Sequence, residues 1–206
     1  MTYDRYMYVW PPRPEVKIPV SMTNFYDKRG WMAQAKLNGT CTVIFTNGKD
    51  CIFKTRHNDD HKAWSPLPEH VEFFNGTARE GKWNVFVAEL MHNKSPLLKN
   101  VLYVFDMLVS GGIPLTGTTF EGRQRILEQI IPGKEKDLWY EHDPYIVRAR
   151  NHVGVSSELY KRITEVPYVE GVVMKNPAAK LELCNRQDNN TGWQVKCRKV
   201  TKNYGF

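Results

Sequence analysis

The side chains best suited to chemistry lie in short strings scattered along the sequence. Lys36 opens 36-KLNG-39, ahead of two β-branched runs that flank Asn47-Gly48. A lysine amine attacks an electrophile only once deprotonated, so it needs a tight turn and neighbours that control charge. Gly39 permits close backbone approach at that turn. Arg56 ends 55-TR-56, and its planar fork of donors suits oxyanions better than a lysine does. Glu89 closes the apolar run 85-VFVAEL-90, where a carboxylate must sit at the strand end or find a partner. Phe105, in 103-YVFDML-108, is either a ring for stacking on a base or an ordinary core phenylalanine.

The string 170-EGVVMK-175 poses a geometric problem. Alternate residues of a strand share a face, so Glu170, Val172 and Met174 point one way and Gly171, Val173 and Lys175 the other. Its two charged ends cannot share a face unless the strand twists or bulges, or Glu170 lies in the preceding turn. In 193-WQVKCRK-199 the same rule puts Lys196 and Arg198 on one face and Lys199 on the opposite one. Singly, each string has a plainer reading: a surface lysine at a turn, a strand-end arginine, a solubilising basic terminus.

The elements that must position these residues read as α+β with mostly antiparallel strands, because the connections are hairpins rather than βαβ units. Residues 1–20, with 11-PPRP-14, read as an extended proline-rich arm, and 21–206 as one domain. A helix is expected over 23–29, then a strand that ends at or just before Lys36. The Asn47-Gly48 hairpin closes near Arg56. A short helix over 66–74, strands over 83–90 and 101–109, and a helix over 120–131 stopped by Pro132-Gly133 follow. A strand over 144–149, a helix over 156–164 and strands over 168–175 and 193–199 complete the pattern. Neither a GxxxxGK[ST] loop nor a GxGxxG string is present.

Hydrophobic residues make up 41% and charged residues 25% of the 206, enough for a globular core and against general disorder. The net charge of +7 and a pI of about 9.2 favour a polyanionic partner. Cys41, Cys51, Cys184 and Cys197 form no CxxC pair and read as buried free thiols of a reducing compartment. No apolar stretch reads as a signal peptide or membrane span, so the expected setting is cytoplasmic, or host cytoplasm for a viral protein.

In this order the strings resemble the signature of the covalent nucleotidyltransferases, which comprise ATP-dependent DNA ligases, RNA ligases and mRNA capping enzymes. The resemblance runs from Trp31 to Lys199. It implies an adenylation-domain (ATP-grasp-like) fold and a lysyl-AMP formed on Lys36 with loss of pyrophosphate. It gives Arg56 the ribose, the phosphates and later the acceptor 5′-phosphate, Glu89 the ribose hydroxyl, and Phe105 the adenine ring. Gly39 belongs to the same nucleotide site. Glu170 is implied to bind a divalent metal, with Glu89 and Asp106 as further candidates, and Lys175 to approach the α-phosphate. Lys196 is the first phosphate contact of the last string, and Arg198 or Lys199 the second. The implied cofactors are ATP and Mg²⁺, with Mn²⁺ as a substitute. The implied partner is a nucleic acid with a 5′-phosphate/3′-hydroxyl nick, met by a monomer without membrane attachment.

Some positions depart from the family pattern. Asn38 stands where DNA ligases favour Asp, which speaks for RNA ligase. The strings 105-FDML-108 and 113-IPLTG-117, with Arg123, speak for DNA ligase, and the DNA reading leads. Two residues rather than one separate Trp193 from Lys196. Relatives commonly carry a following OB domain, and none is expected in this chain, where seven residues follow Lys199. A non-catalytic nucleic-acid-binding module is the alternative from another class.

Overall fold

The β-branched runs after Gly39 pair as expected. Strands β3 (Thr40–Thr46) and β4 (Cys51–Thr55) form a hairpin in the computed structural model, which describes residues 9–95 and 97–199. The turn takes all of 47–50 rather than two residues: Asn47 Oδ1 accepts from Lys49 N at 3.0 Å and Asp50 N at 2.7 Å, and Gly48 has φ +86°. An Asx-type side-chain bond thus sets the loop length. β5 (Asn84–Met91) runs antiparallel between β3 and β6 (Val101–Ser110), and β7 (Ile113–Pro114) folds back on β6.

The other face of this sheet is covered by helices. α2 (Pro68–Gly76) begins at a proline, whose missing N–H costs nothing in a first helical turn. α3 (Phe120–Ile130) is capped by the Thr119 hydroxyl, which accepts from Gly122 N, and stops before Pro132-Gly133. Beyond it, β8 (Lys134–Glu135), β9 (Trp139–Glu141) and β10 (Ile146–Ala149) complete one sheet in the order β4-β3-β5-β6-β10-β9-β8. Short pieces such as β8 and β9 carry too few residues for a readable alternation.

A second sheet has the order β1-β13-β12-β2-β11, from β1 (Arg13–Lys17), β2 (Met32–Leu37), β11 (His152–Val153), β12 (Val169–Lys175) and β13 (Asn190–Arg198). Pairing is antiparallel except for β1 with β13 and β10 with β6. Part of the proline-rich arm is therefore an edge strand, the place where a missing N–H does least harm. Residues 1–8 of the arm and 200–206 of the basic end lie outside the described residues.

α1 (Thr23–Asp27) and α4 (Ser156–Ile163) join through Asp27, which accepts from Ser156 N at 3.0 Å. Alternation splits β2, β12 and β13 into two sets. Ala33, Ala35 and Leu37, Val172 and Met174, and Val195 and Cys197 enter an apolar cluster with Leu159 and Ile163 of α4. The opposite set faces the first sheet across a cleft. Among the described residues no helix is long and apolar enough to cross a membrane.

Candidate active site

Strand register lays the charged residues out in rows. Lys36 pairs with Gly171, and Gly171 with Arg198; Gln34 pairs with Val173, and Val173 with Lys196; Met32 pairs with Lys175, and Lys175 with Gln194. The first row thus brings the candidate nucleophile to Arg198, and the second adds Lys196. Facing them from the other sheet are Glu89 on β5 and Phe105 on β6. Together these side chains and Arg56 line a cavity of about 510 Å³, the size of a small-ligand site. A second cavity of about 680 Å³ opens on the other side and shares Lys36, Arg56, Glu89 and Arg198. Lys36 stands where the two meet.

Glu170 joins this row by a bulge, one of the arrangements that its string left open. The β2–β12 register shifts between Val169 and Gly171, and Gly171 takes φ +145°. A Cβ at Gly171 would overlap the Cys197 carbonyl oxygen, so β13 crosses too closely for any other residue. The irregularity carries the Glu170 carboxylate to Lys36 Nζ, with Arg198 Nη2 3.2 Å from the same oxygen.

Gly39 is held at both ends of its backbone. Its N–H donates to Glu89 Oε1 at 2.9 Å, and its carbonyl accepts from Lys94 Nζ at 2.6 Å. Burial pushes the Glu89 carboxyl up to about 6, against the opposing pull of Lys36 and the Gly39 N–H. Lys196 is lowered from the ordinary lysine value by burial, and further by Arg198, Arg13 and Lys36. An anion entering here meets cations that repel one another, and relieves them. Cys41 lines both cavities but is an inert thiol, pushed up to about 12 by burial.

Lys175 lies four residues along β12 from Gly171, the partner of Lys36, and lines the same cavity as Lys36. Its ammonium lies 4.8 Å from the Phe105 ring centre and 4.7 Å from that of Phe120, and burial lowers it to about 8. It packs against the ring that the resemblance assigns to adenine. Asp106 does not fit the role of metal ligand. Both of its oxygens are taken by buried Arg123, at 2.8 and 3.0 Å, and one also accepts from Met107 N. The pair pins α3 to β6.

Lys199 also settles its own orientation. Its Nζ donates to the carbonyls of Thr164 and Val166, at 3.1 and 3.3 Å, at the end of α4. Of the two candidates for the second phosphate contact, only Arg198 lines the cavities. Lys196→Ala and Arg198→Ala should therefore each slow a reaction at a phosphate bound in this cavity more than about tenfold in single-turnover assays. Lys199→Ala should leave the rate unchanged and lower stability by about 1 kcal/mol, measured by urea unfolding.

Sequence reasoning missed Gln34 and Lys94. Gln34 is buried on the cavity face of β2, and its amide donates to Gln124 at 3.2 Å and Asn151 at 2.9 Å. A polar residue amid 31-WMAQAK-36 was the available signal. Lys94 lies in a loop with no pattern of its own. Trp10 to Glu15 of the arm also line the first cavity, and Lys196 Nζ donates to the Pro14 carbonyl at 3.2 Å.

The carboxylates present suit a cation that arrives with phosphates. Among the described residues no group of three or more His, Cys, Asp or Glu side chains could hold a metal alone. Mg²⁺ needs only one or two carboxylates when substrate phosphates supply further oxygens, and Glu170 and Glu89, which both line the second cavity, fit that demand.

Known structures share this arrangement of strands. A mycobacterial DNA ligase D complexed with ATP and MES superposes with a TM-score of 0.68 at 13% identity, over 98% of this chain and 62% of that one. The ATP-dependent DNA ligase from bacteriophage T7, in complex with ATP, gives 0.62 at 13% identity, over 93% and 69%. This chain shares its fold with these two ligases. A Lig E DNA ligase shares the ligase fold at a TM-score of 0.51 and 14% identity, over 82% of this chain and 62% of that one. This chain thus spans about three fifths of the first of these ligases. No family model matches the sequence, and no curated protein does.

Proposed function

We propose that this chain is the catalytic domain of an ATP-dependent polynucleotide ligase, with nicked DNA as substrate. The observation that carries the reading is Lys36 at the junction of two cavities, paired with Glu170 and set among Arg56, Lys196 and Arg198. The Lys36 nitrogen attacks the α-phosphorus of ATP, a P–N bond forms, and the P–O bond to pyrophosphate breaks. Glu170 is the group placed to hold the Lys36 proton before attack. Lys196 and Arg198 neutralise charge on the phosphate oxygens, an arrangement fixed before reaction and so effective in the transition state. Glu89 accepts from a ribose hydroxyl while ionised, and Phe105 stacks on the base.

AMP then passes from Lys36 to a 5′-phosphate, and a 3′-hydroxyl displaces AMP to seal the strand. A bound Mg²⁺, held by Glu170 and Glu89, would supply charge stabilisation to the polyphosphate. Asn38 favours RNA as the alternative substrate, and the same assay decides between them. Protein incubated with labelled ATP and Mg²⁺ should carry label through a denaturing gel, with GTP much poorer, and Lys36→Ala should carry none. The labelled protein should then seal nicked DNA in preference to nicked RNA. Equal labelling of Lys36→Ala would overturn the reading.

A further inference from the structure

The turn that follows Lys36 is tied down from three sides. Asn38 N donates to the Tyr168 carbonyl at 2.9 Å, Gly39 N to Glu89, and Lys94 Nζ to the Gly39 carbonyl. Gly39 is also pressed onto the end of β5, where a Cβ would collide with the Leu90 carbonyl oxygen. These anchors are unequal once a nucleotide is bound. On the proposed function, Glu89 also accepts from a ribose hydroxyl, whereas Lys94 is given no contact to the nucleotide.

The base of Lys94 is itself well held. Its neighbour Ser95 is buried, and the Ser95 hydroxyl oxygen accepts from Leu97 N at 3.2 Å and Leu98 N at 3.1 Å. Across the same loop, Lys99 Nζ donates to the His92 carbonyl at 2.8 Å. An exposed lysine would otherwise spend its rotamer entropy in solvent. Here a fixed loop directs a charged donor at one carbonyl, the stronger kind of hydrogen bond.

We propose that Lys94 is a positioning residue for the nucleophile: through the Gly39 carbonyl it keeps the 36–39 turn, and so Lys36, aligned for attack while Glu89 serves the nucleotide. Lys94 meets the backbone of the turn rather than a group assigned to ATP, so its loss falls on the attack. Misalignment of a reacting group costs up to about a hundredfold.

The test rests on the proposed adenylation but is separable from it. Single-turnover labelling by ATP is measured for the parent, Lys94→Met and Lys94→Arg, with thermal unfolding and amide exchange over residues 36–41. Lys94→Met should slow labelling at saturating ATP roughly tenfold to a hundredfold. Half-saturating ATP should be unchanged, melting temperature should fall by no more than a few degrees (about 1 kcal/mol), exchange over 36–41 should be faster, and Lys94→Arg should recover most of the rate. A parental rate in Lys94→Met overturns the positioning role, and so does a rise in half-saturating ATP with the maximal rate intact. If the parent itself takes no label, the proposed function fails; unchanged exchange in Lys94→Met would then still refute the Lys94 anchor.

Discussion

Gly171→Ala should destabilise the protein strongly. The new methyl group meets the Cys197 carbonyl and lies close to the Arg198 backbone, neither of which is the movable end of a side chain. The φ of +145° is also one that an alanine rarely adopts. Backbone strain and overpacking each cost about 1–3 kcal/mol, so a loss of about 3 kcal/mol or more is expected. That is a large share of the roughly 5–15 kcal/mol that a domain has. Urea unfolding of the soluble fraction would show a lower midpoint at unchanged slope. Any folded remainder should label poorly with ATP, because relief of the clash moves the bulge that brings Glu170 to Lys36. A midpoint within experimental error of the parent would mean that β12 and β13 do not cross as closely as described.

Lys175→Met should do the reverse, raising stability near neutral pH. The folded protein holds the Lys175 ammonium at about 8, against 10.5 ordinarily. Between those values the unfolded chain keeps a proton that the folded chain has lost, so parental stability rises with pH across that window. Below pH 8 the burial penalty is present in full, on the order of 3 kcal/mol. The ammonium recovers part of it from the Phe105 and Phe120 rings. Methionine should therefore gain about 1–2 kcal/mol at pH 7, or about 3–6 °C in melting temperature. The gain should shrink toward pH 10. Adenylation at saturating ATP should stay within a few-fold of the parent, since the Lys175 ammonium is held between the Phe105 and Phe120 rings. A hundredfold slower rate would place Lys175 at the α-phosphate.

Much of this architecture was legible in the sequence, for identifiable physical reasons. The hairpin after Gly39 and the long strands around Glu89 and Phe105 are long enough for β-branched and apolar runs to declare themselves. The conflict between Glu170 and Lys175 in one strand left a twist, a bulge or a preceding turn to resolve it, and the structure has a bulge beside Gly171. The separation of Lys196 from Lys199 followed from strand alternation alone.

What could not be read depends on contacts distant in sequence. Nothing in 103-YVFDML-108 says that Asp106 is consumed by Arg123, seventeen residues on. The resemblance names Lys175, but its row follows only from pairing with Met32 and Gln194. The arm became an edge strand because β13 offered an open edge, which its prolines alone do not reveal. Lys94 meets Gly39 across fifty-five residues, with no motif to announce it.

The central claim is that Lys36 takes up AMP, and the most direct measurement locates the nucleotide on the chain. Protein incubated with ATP and Mg²⁺ at neutral pH is digested under conditions that preserve phosphoramidate bonds, and its peptides are sequenced by mass spectrometry. The account predicts one AMP on Lys36, absent from Lys36→Ala and removed when pyrophosphate is added before digestion. AMP on another residue, or none on a folded protein that binds ATP, would contradict it.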